Sequence, residues 1–572
     1  MAEDRDNERR MQAALACERA GRAAEAEALY GEVLETAPAH AGALHRLGIL
    51  AMRGGRLAES AELFRKAVTS DPEAWTSHAH LGLALRRLRR PAEAVAAYDA
   101  ALALRPGDPE LLNGRGVALL DLGKAEAALA AFEAATAARP DFAPAHANRG
   151  LALLALRRPQ EALEPLGEAL ALDPAQAGAH YSLGNALMEL GRFVDALRAY
   201  DAAVAQAPRH ALAHYGRGRA LAELQFIGAG SPPEAALEAF DRAIALDPGA
   251  AHARFARGLA RLRLGRWREG WEDYEHRWRT ASFVQVSSSM ATADLRRRLD
   301  LDVQPADLAG QRVLLVAEQG VGDVIMFASM IPDLQAIAGS VALLCETRLH
   351  PLFAASFPGL ELVAPGAPLP PHDRVLALGS LGRLFRNEPD SFPRAPYLAA
   401  SEPARARWAA RLGAEAGLLR IGLSWRGGAA STGRAARSLD LAQLRPLLDL
   451  PGCDFVSLQH GDVAGELAAE NAGRARPIWA PPPDEVADFD DFAGVVQAMD
   501  LIVSVQNSLV HLSGALGAPA LVMIPRKPEW RYGAAGETMP WYGSIRLLRQ
   551  GRDGEWGPVI SQVVEAVRQR LG

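Results

Sequence analysis

The chain has 572 residues, with 62 Lys and Arg against 68 Asp and Glu and a net charge of −6. That length exceeds one hydrophobic core, so roughly two to four domains are expected, and the near-neutral balance gives no footprint for nucleic acid. Three cysteines (Cys17, Cys345, Cys453) far apart in sequence match neither a disulfide framework nor metal-ligand spacing, which points to a reducing compartment. The charged start Met1–Arg10 is not followed by the apolar core of a signal peptide. No apolar run is long enough to span a bilayer. A cytoplasmic protein is expected.

Residues 1–280 read as a repeat array of about eight units, the last partial. Prolines recur at Pro38, Pro72, Pro106, Pro140, Pro174 and Pro208, each 34 residues after the last, with glycines in step from Gly48 to Gly218. That is the tetratricopeptide period. Between them come small–aromatic–small sets such as Ala94/Tyr98/Ala101 and Ala196/Tyr200/Ala203. Small residues let the paired helices approach, the aromatic fills the gap to the next repeat, and proline closes the second helix. Extra residues around Ile227–Pro233 predict an enlarged turn. The aromatic run from Trp267 to Trp278 predicts a cap or a docking face for the next domain, since aromatic stripes usually pack.

Such arrays hold polypeptides on the face lined by their first helices. Aligned on the glycines, His45, Asn113, Tyr181 and Tyr215 share the fifth position, Arg86 is at the twelfth, and Asn148 is at the sixth. These six residues are the expected client-binding set. A repeat array followed by α/β sequence resembles the layout of eukaryotic O-GlcNAc transferase. That family's recurrent asparagine at the sixth position is replaced here by Arg46, His80, Gly114 and Ser182, with only Asn148 retained, which implies a narrower range of clients.

After a polar connector at 281–310, containing Ser287–Ser289 and Arg296–Arg298, strand-like and helical runs alternate. Arg312–Ala317, Val341–Cys345 and Arg374–Leu378 are expected strands of a first lobe (311–405). Arg420–Trp425, Asp454–Leu458, Leu501–Val505 and Ala520–Ile524 are those of a second lobe (406–572), with Pro393–Ala404 as the crossover. The predicted class is therefore an N-terminal α-solenoid followed by two Rossmann-like α/β lobes, a GT-B type arrangement with one cleft between them. Glu318–Asp323, Gly422–Gly428, Ser457–Gln459, Ser504–Gly517, Pro528–Arg531 and Pro540–Tyr542 occur in order. This series resembles bacterial tetratricopeptide proteins with a heptosyltransferase-like domain. Within that group the layout is similar to flagellin glycosyltransferases, and the resemblance implies transfer of a nonulosonic acid of pseudaminic or legionaminic type from a CMP-activated donor to Ser or Thr.

Glycosyl transfer needs a base for the acceptor hydroxyl and donors for the departing phosphate. Asp323, just after Gly320-Val-Gly322, is the candidate base, and it matches the aspartate that the family is proposed to use. The competing reading is a helix cap, worth about 1 kcal/mol. Glu318 is held in reserve. The phosphate end is expected at Gln506-Asn507-Ser508, where a helix starts after a strand, with His511 donating to the leaving phosphate. Gly320 and Gly322 of the glycine turn, Arg426, beside the loop Gly427–Gly433 with Arg434 and Arg437 beyond, and Gln459 at a strand end complete the expected donor contacts. Related sequences usually carry Asp-Thr at the Gln506-Asn507 positions, which implies altered donor recognition or a degenerate site. Asp488-Phe-Asp490-Asp491 imitates a metal-binding motif, yet its position before Phe492–Met499 fits helix capping, so neither metal nor other cofactor is expected.

The resulting expectation is a metal-independent, inverting protein O-glycosyltransferase, with flagellin as the client held by the array. A non-catalytic scaffold or secretion chaperone with a degenerate transferase domain is the first alternative. A heptosyltransferase-like or UDP-sugar-dependent transferase is the second.

Overall fold

The structure, a computed structural model, describes residues 2–226, 232–286, 292–413, 417–428 and 434–572. Ser287–Ser289 and most of the predicted turn at 227–233 and of the loop at 427–433 lie outside the described residues. The chain divides into two compact units, Met1–Ala220 and Leu221–Gly572. The division falls inside the array rather than at its predicted end near residue 280.

The first unit is built of helix pairs, from Ala2–Arg19 and Ala23–Thr36 through Ala177–Glu189 and Phe193–Gln206. The glycine–aromatic reading of the repeat describes its packing. A Cβ at Gly184 would lie 2.6 Å from the Tyr200 ring, and one at Gly216, in the following repeat, 2.4 Å from it. One ring thus fills the space left by two missing side chains. Tyr98 does the same between Gly82 and Gly114. The second helices end at Thr36, Ser70, Leu104, Ala138, Leu172 and Gln206, each two residues before its proline, as the restricted backbone ahead of proline favours.

A second regularity escaped the sequence reading. His78, His146, His180 and His214 each place Nε2 at 2.8–3.1 Å from the carbonyl of the proline six residues earlier, which ties each closing turn to the next first helix.

The turn inside each pair needs a left-handed residue. Gly21, Gly55, Gly123 and Gly191 supply it at φ of 74–76°, whereas Arg89 and Arg157 occupy the same position at 60°. A Cβ there crowds the following carbonyl. Arg89→Gly is therefore expected to stabilise the first unit by about 0.5–1 kcal/mol, read as a raised urea midpoint. No change or a fall would contradict the strain.

The second unit opens with helices Pro233–Leu246, Ala251–Arg263 and Trp267–Tyr274 and then forms two sheets. In the first sheet, β1 (Arg312–Val316), β2 (Ser340–Leu344), β3 (Leu360–Val363) and β4 (Arg374–Ala377) run parallel in the order β3-β2-β1-β4. In the second, β5 (Leu419–Ser424), β6 (Cys453–Ser457), β7 (Leu501–Val505), β8 (Ala520–Ile524), β9 (Thr538–Met539) and β10 (Tyr542–Arg549) take the order β6-β5-β7-β8-β10-β9. Only the β9–β10 pair is antiparallel. The seven predicted strands are present; β3, β9 and β10 were not anticipated.

Residues along the central strands alternate between two cores. Ile502, Val522 and Ile524 join the core that also holds the first sheet and the last repeats. Leu501, Val503, Val505, Leu521 and Met523 face a second core closed by helix Gly557–Leu571. This is the period of two expected of a strand buried on both faces.

The last repeats belong to this unit because their aromatics are buried in it. Trp271 is 0% exposed. It donates Nε1–H to the Arg386 carbonyl at 2.8 Å and meets Trp530 edge-on at 5.5 Å. Gly382 leaves room for it, since a Cβ there would come within 2.8 Å of the indole. The run from Trp267 to Trp278 is thus a docking face. Among the described residues, no helix is long and apolar enough to cross a membrane.

Candidate functional site

Parallel strands bring their carboxyl ends, and the amino ends of the helices that follow, to one edge. At that edge β1 leads through Glu318-Gln-Gly320 into helix Val321–Ala328, and β7 leads through Gln506-Asn507 into helix Ser508–Leu516. The two helix starts touch. A Cβ at Gly322 would stand 3.2 Å from the His511 ring and 3.3 Å from the Ser508 Cα, so only glycine allows this approach without displacing a neighbour. Gly320 is the exposed N-cap of the first helix and provides no side-chain cap.

Asp323 lies in the first turn of that helix, not at its N-cap. Its carboxylate instead forms an ion pair with the Arg531 guanidinium. Arg531 also lies 3.6 Å from Glu529 and stacks on Trp530, and Glu529 reaches Arg437 at 3.7 Å. Burial raises the Asp323 carboxyl above its ordinary value even though Arg531 opposes the rise. His511 is nearly buried, with Nδ1 3.2 Å from the Tyr542 hydroxyl and Nε2 3.5 Å from that of Tyr532. Burial first, then Arg531, pulls its pKa down to about 3, so the imidazole is neutral at physiological pH.

Other predicted residues are committed to the scaffold. Glu318, 0% exposed, accepts from Arg277 Nη2 at 3.1 Å, from Gln319 Nε2 at 3.0 Å and from the Gly379 N–H. The reserve base is therefore a buried anchor for the last repeat. Asn507 caps its helix through Oδ1, accepting from the Leu509 N–H at 3.0 Å, and donates Nδ2 to Ser424 and to the Arg426 carbonyl. Gln459 Oε1 accepts from Ser424 Oγ and from the backbone N–H of Trp425 and Arg426 at 2.8–3.0 Å. Arg426 pairs with Glu466 and donates to the Asp462 carbonyl. Gln506 is 1% exposed, and neither amide atom has a hydrogen-bond partner among the described residues. Asp488 caps helix Phe489–Gln497, accepting from the N–H groups of Asp490 and Asp491, as read from sequence. Trp530, Tyr532, Trp541 and Tyr542 are buried in the core.

Beside the helix contact lies a cavity of about 770 Å³, within the range of small-molecule sites. Ser508, Leu509 and Leu512 line it from the second helix, and Ser457 and Gln459 from the end of β6. The first lobe contributes Val321 and Arg348. Arg348 pairs with Glu346 at 2.6 Å and lies over the Phe489 ring, another lining residue, at 5.2 Å. Of the predicted donor residues, Gln459 and Ser508 border this cavity; Gly320, Gly322, Arg426, Gln506, Asn507 and His511 do not, and neither does the candidate base Asp323. Sequence reasoning missed Arg348, whose signal is a cation just past a strand end. It also gave Arg531 no role, although Pro528–Arg531 stood out as a motif.

The predicted client residues cluster between successive first helices of the first unit. His45 Nδ1 lies 2.7 Å from Ser77 Oγ, and its ring meets His80 at 5.0 Å. Arg86 faces Asp121 at 3.7 Å, and Asn148 Nδ2 donates to Asn113 Oδ1 at 2.8 Å. Tyr181 packs on His210 at 5.3 Å, and the Arg219 guanidinium covers the Tyr215 ring at 5.7 Å. All six are half-buried, as residues lining a groove would be.

Residues 11–75, 45–109, 79–143, 113–179, 181–225 and 226–275 match the tetratricopeptide repeat family. The chain is therefore a tetratricopeptide repeat protein over its first half. Protein FlbA of Caulobacter vibrioides is 32% identical over 327 residues, which cover 54% of this chain and 53% of that protein. The chain thus spans about half the length of the curated relative it matches. Among solved structures, MamA is 24% identical over 31% of this chain and 96% of its own, with a TM-score of 0.29. YrrB, described as a TPR protein with an unusual peptide-binding site, is 28% identical over 35% of this chain and 100% of its own, with a TM-score of 0.28.

Because folding keeps His511 neutral, the unfolded chain takes up a proton below about 6.5 that the folded protein resists until about 3. The stability His511 contributes is present above pH 6.5 and is lost as pH falls towards 3, at a slope of about 1.4 kcal/mol per pH unit. His511→Gln is expected to flatten this part of the urea-midpoint profile. An unchanged acid slope would show that another group carries it.

Proposed function

We propose that this protein is a protein O-glycosyltransferase of the two-lobed GT-B type whose repeats hold a client polypeptide. The observation that carries the reading is the junction of two helix starts, one from each lobe, beside a 770 Å³ cavity at the carboxyl edge of a parallel sheet. Such an edge favours an anionic ligand, because unpaired N–H groups converge there. The sequence resemblance supplies the donor class, a CMP-activated nonulosonic acid, and the client, flagellin. The name of the relative FlbA hints at a flagellar role and agrees with that client.

In this reading Asp323 takes the proton of a Ser or Thr hydroxyl as its oxygen attacks the anomeric carbon. The bond to the phosphate breaks on the opposite face, and CMP departs with the electron pair, which inverts the centre. The raised pKa of Asp323 makes it a better base than an exposed carboxylate. For this to happen Arg531 must first release it. Ser508 and the N–H groups at the start of its helix hold the departing phosphate, with neutral His511 behind them as a hydrogen-bond donor. No metal enters the scheme.

A second reading, a client-binding scaffold without catalysis, is favoured by the same ion pair and by the way Asn507 and Gln459 spend their amides on the protein's own backbone.

Intact-mass measurement of flagellin after incubation with the protein and CMP-nonulosonic acid separates the two. Transfer predicts one or more sugar increments, lost in Asp323→Asn while flagellin is still retained. Absence of a mass gain together with no calorimetric heat for CMP favours the scaffold. Full activity in Asp323→Asn would remove that residue from the role of base.

A further inference from the structure

The first-helix face of the first unit changes chemistry along its length. At one end, Arg46 and Arg53 share a single carboxylate, Glu18, at 3.7 and 3.4 Å, and Arg86 faces Asp121 at 3.7 Å. Each carboxylate sits on the first helix of the neighbouring repeat, so these arginines lie on the face the first helices share. Three guanidinium groups thus meet two carboxylates, and at distances well beyond the ~2.8 Å of a tight charge-assisted bond. Glu18 is further engaged by the Tyr30 hydroxyl. Positive charge is left over, and it is loosely held.

Further along, the face becomes apolar. Leu151 and Leu212, both 43% exposed, are two of the five exposed large hydrophobic residues among the described residues. Leu151 is one turn from Asn148, which bonds to the preceding first helix at Asn113. Leu212 is one turn from Tyr215 and two residues from His210, whose ring packs on Tyr181 of the preceding first helix at 5.3 Å. Residues three apart share a helix face, so both leucines belong to the same surface as the arginines. Exposed leucines beside half-buried tyrosines are the composition of a protein-docking surface.

We infer that this face takes a polypeptide segment that joins an acidic stretch, seated on Arg46, Arg53 and Arg86, to an apolar stretch seated on Leu151, Leu212 and Tyr215. This deepens the client-holding half of the proposed function and rests on that half, not on sugar transfer. A nucleic acid would satisfy the arginines but would leave the leucines unmatched, and the chain's net charge of −6 works against it.

The test uses the full chain and fluorescein-labelled synthetic peptides in which a Glu-rich and a Leu-rich block are joined in either order. Binding is read by anisotropy at physiological salt with no sugar donor present. One of the two orders is expected to bind, and replacing Glu by Lys or Leu by Ser should weaken it about tenfold or more. The variants Arg46→Glu/Arg86→Glu and Leu151→Asp/Leu212→Asp alter exposed or half-buried positions and should cause the same loss with an unchanged far-UV circular dichroism spectrum. The inference is overturned if neither order binds, if the Lys peptide binds as well as the Glu peptide, if the folded variants bind like the parent, or if poly(U) displaces the peptide at lower concentration than unlabelled peptide does. Failure of sugar transfer in the flagellin assay leaves these readings intact, and their failure alongside intact transfer removes only the client chemistry.

Discussion

The buried contact between Arg277 and Glu318 is the constraint on which the second unit depends. Arg277 is 0% exposed and donates to Glu318, Glu275 and Ser380 at 2.7–3.1 Å. Its ring neighbours are Tyr274 and Trp278. Burial alone would lower its pKa, but Glu275 and Glu318 carry it above the ordinary arginine value. Breaking such a pair from one side typically costs about 3–5 kcal/mol, because the remaining charge stays buried. Glu318 follows directly on β1 and precedes the Gly320–Asp323 turn. The last turn of the repeat array therefore holds the turn that presents the candidate base.

A second constraint acts across the lobes. Gly322 brings the first helix against Ser508 and His511, and Asp323 closes onto Arg531 from the second lobe. Tyr397 adds a link, donating its hydroxyl to the Ile325 carbonyl at 2.8 Å while its backbone N–H bonds to Ala515. One continuous apolar core runs beneath these contacts, from Trp271 through Phe327 to Trp541. The arrangement favours a preorganised site over one assembled by wide domain closure. It also means that a ligand able to draw Arg531 away would remove the cation that holds the Asp323 carboxyl down, raising it further.

Local and periodic features were legible in the sequence. The 34-residue period marked every repeat of the first unit, and apolar runs marked seven strands to within a residue or so. The missed strands have physical reasons. β3 is a four-residue edge strand with only Val363 buried, and β10 carries Gly543 and Ser544 directly after its first residue, Tyr542, and shifts register against β9. Pairings between distant residues left no local trace. Arg277 with Glu318 and Asp323 with Arg531 can be seen only once the chain is folded, so Glu318 passed for a spare base and Arg531 for a motif residue without a role. The repeats run to residue 275, close to the end read at 280, whereas the compact units divide after Ala220. Periodicity reports where repeats end, whereas the aromatic surface of Trp267, Trp271 and Tyr274 decides which core the last repeats join.

Hydrogen exchange on the full chain tests most directly whether the last repeats and the two sheets form one cooperative body. The account predicts that the slowest amides of helix Ala251–Arg263 and of β1 open with equal free energy, and that Trp271→Ala lowers both by about 3 kcal/mol. Helix amides that exchange far faster than those of β1, or that ignore the substitution, would contradict it.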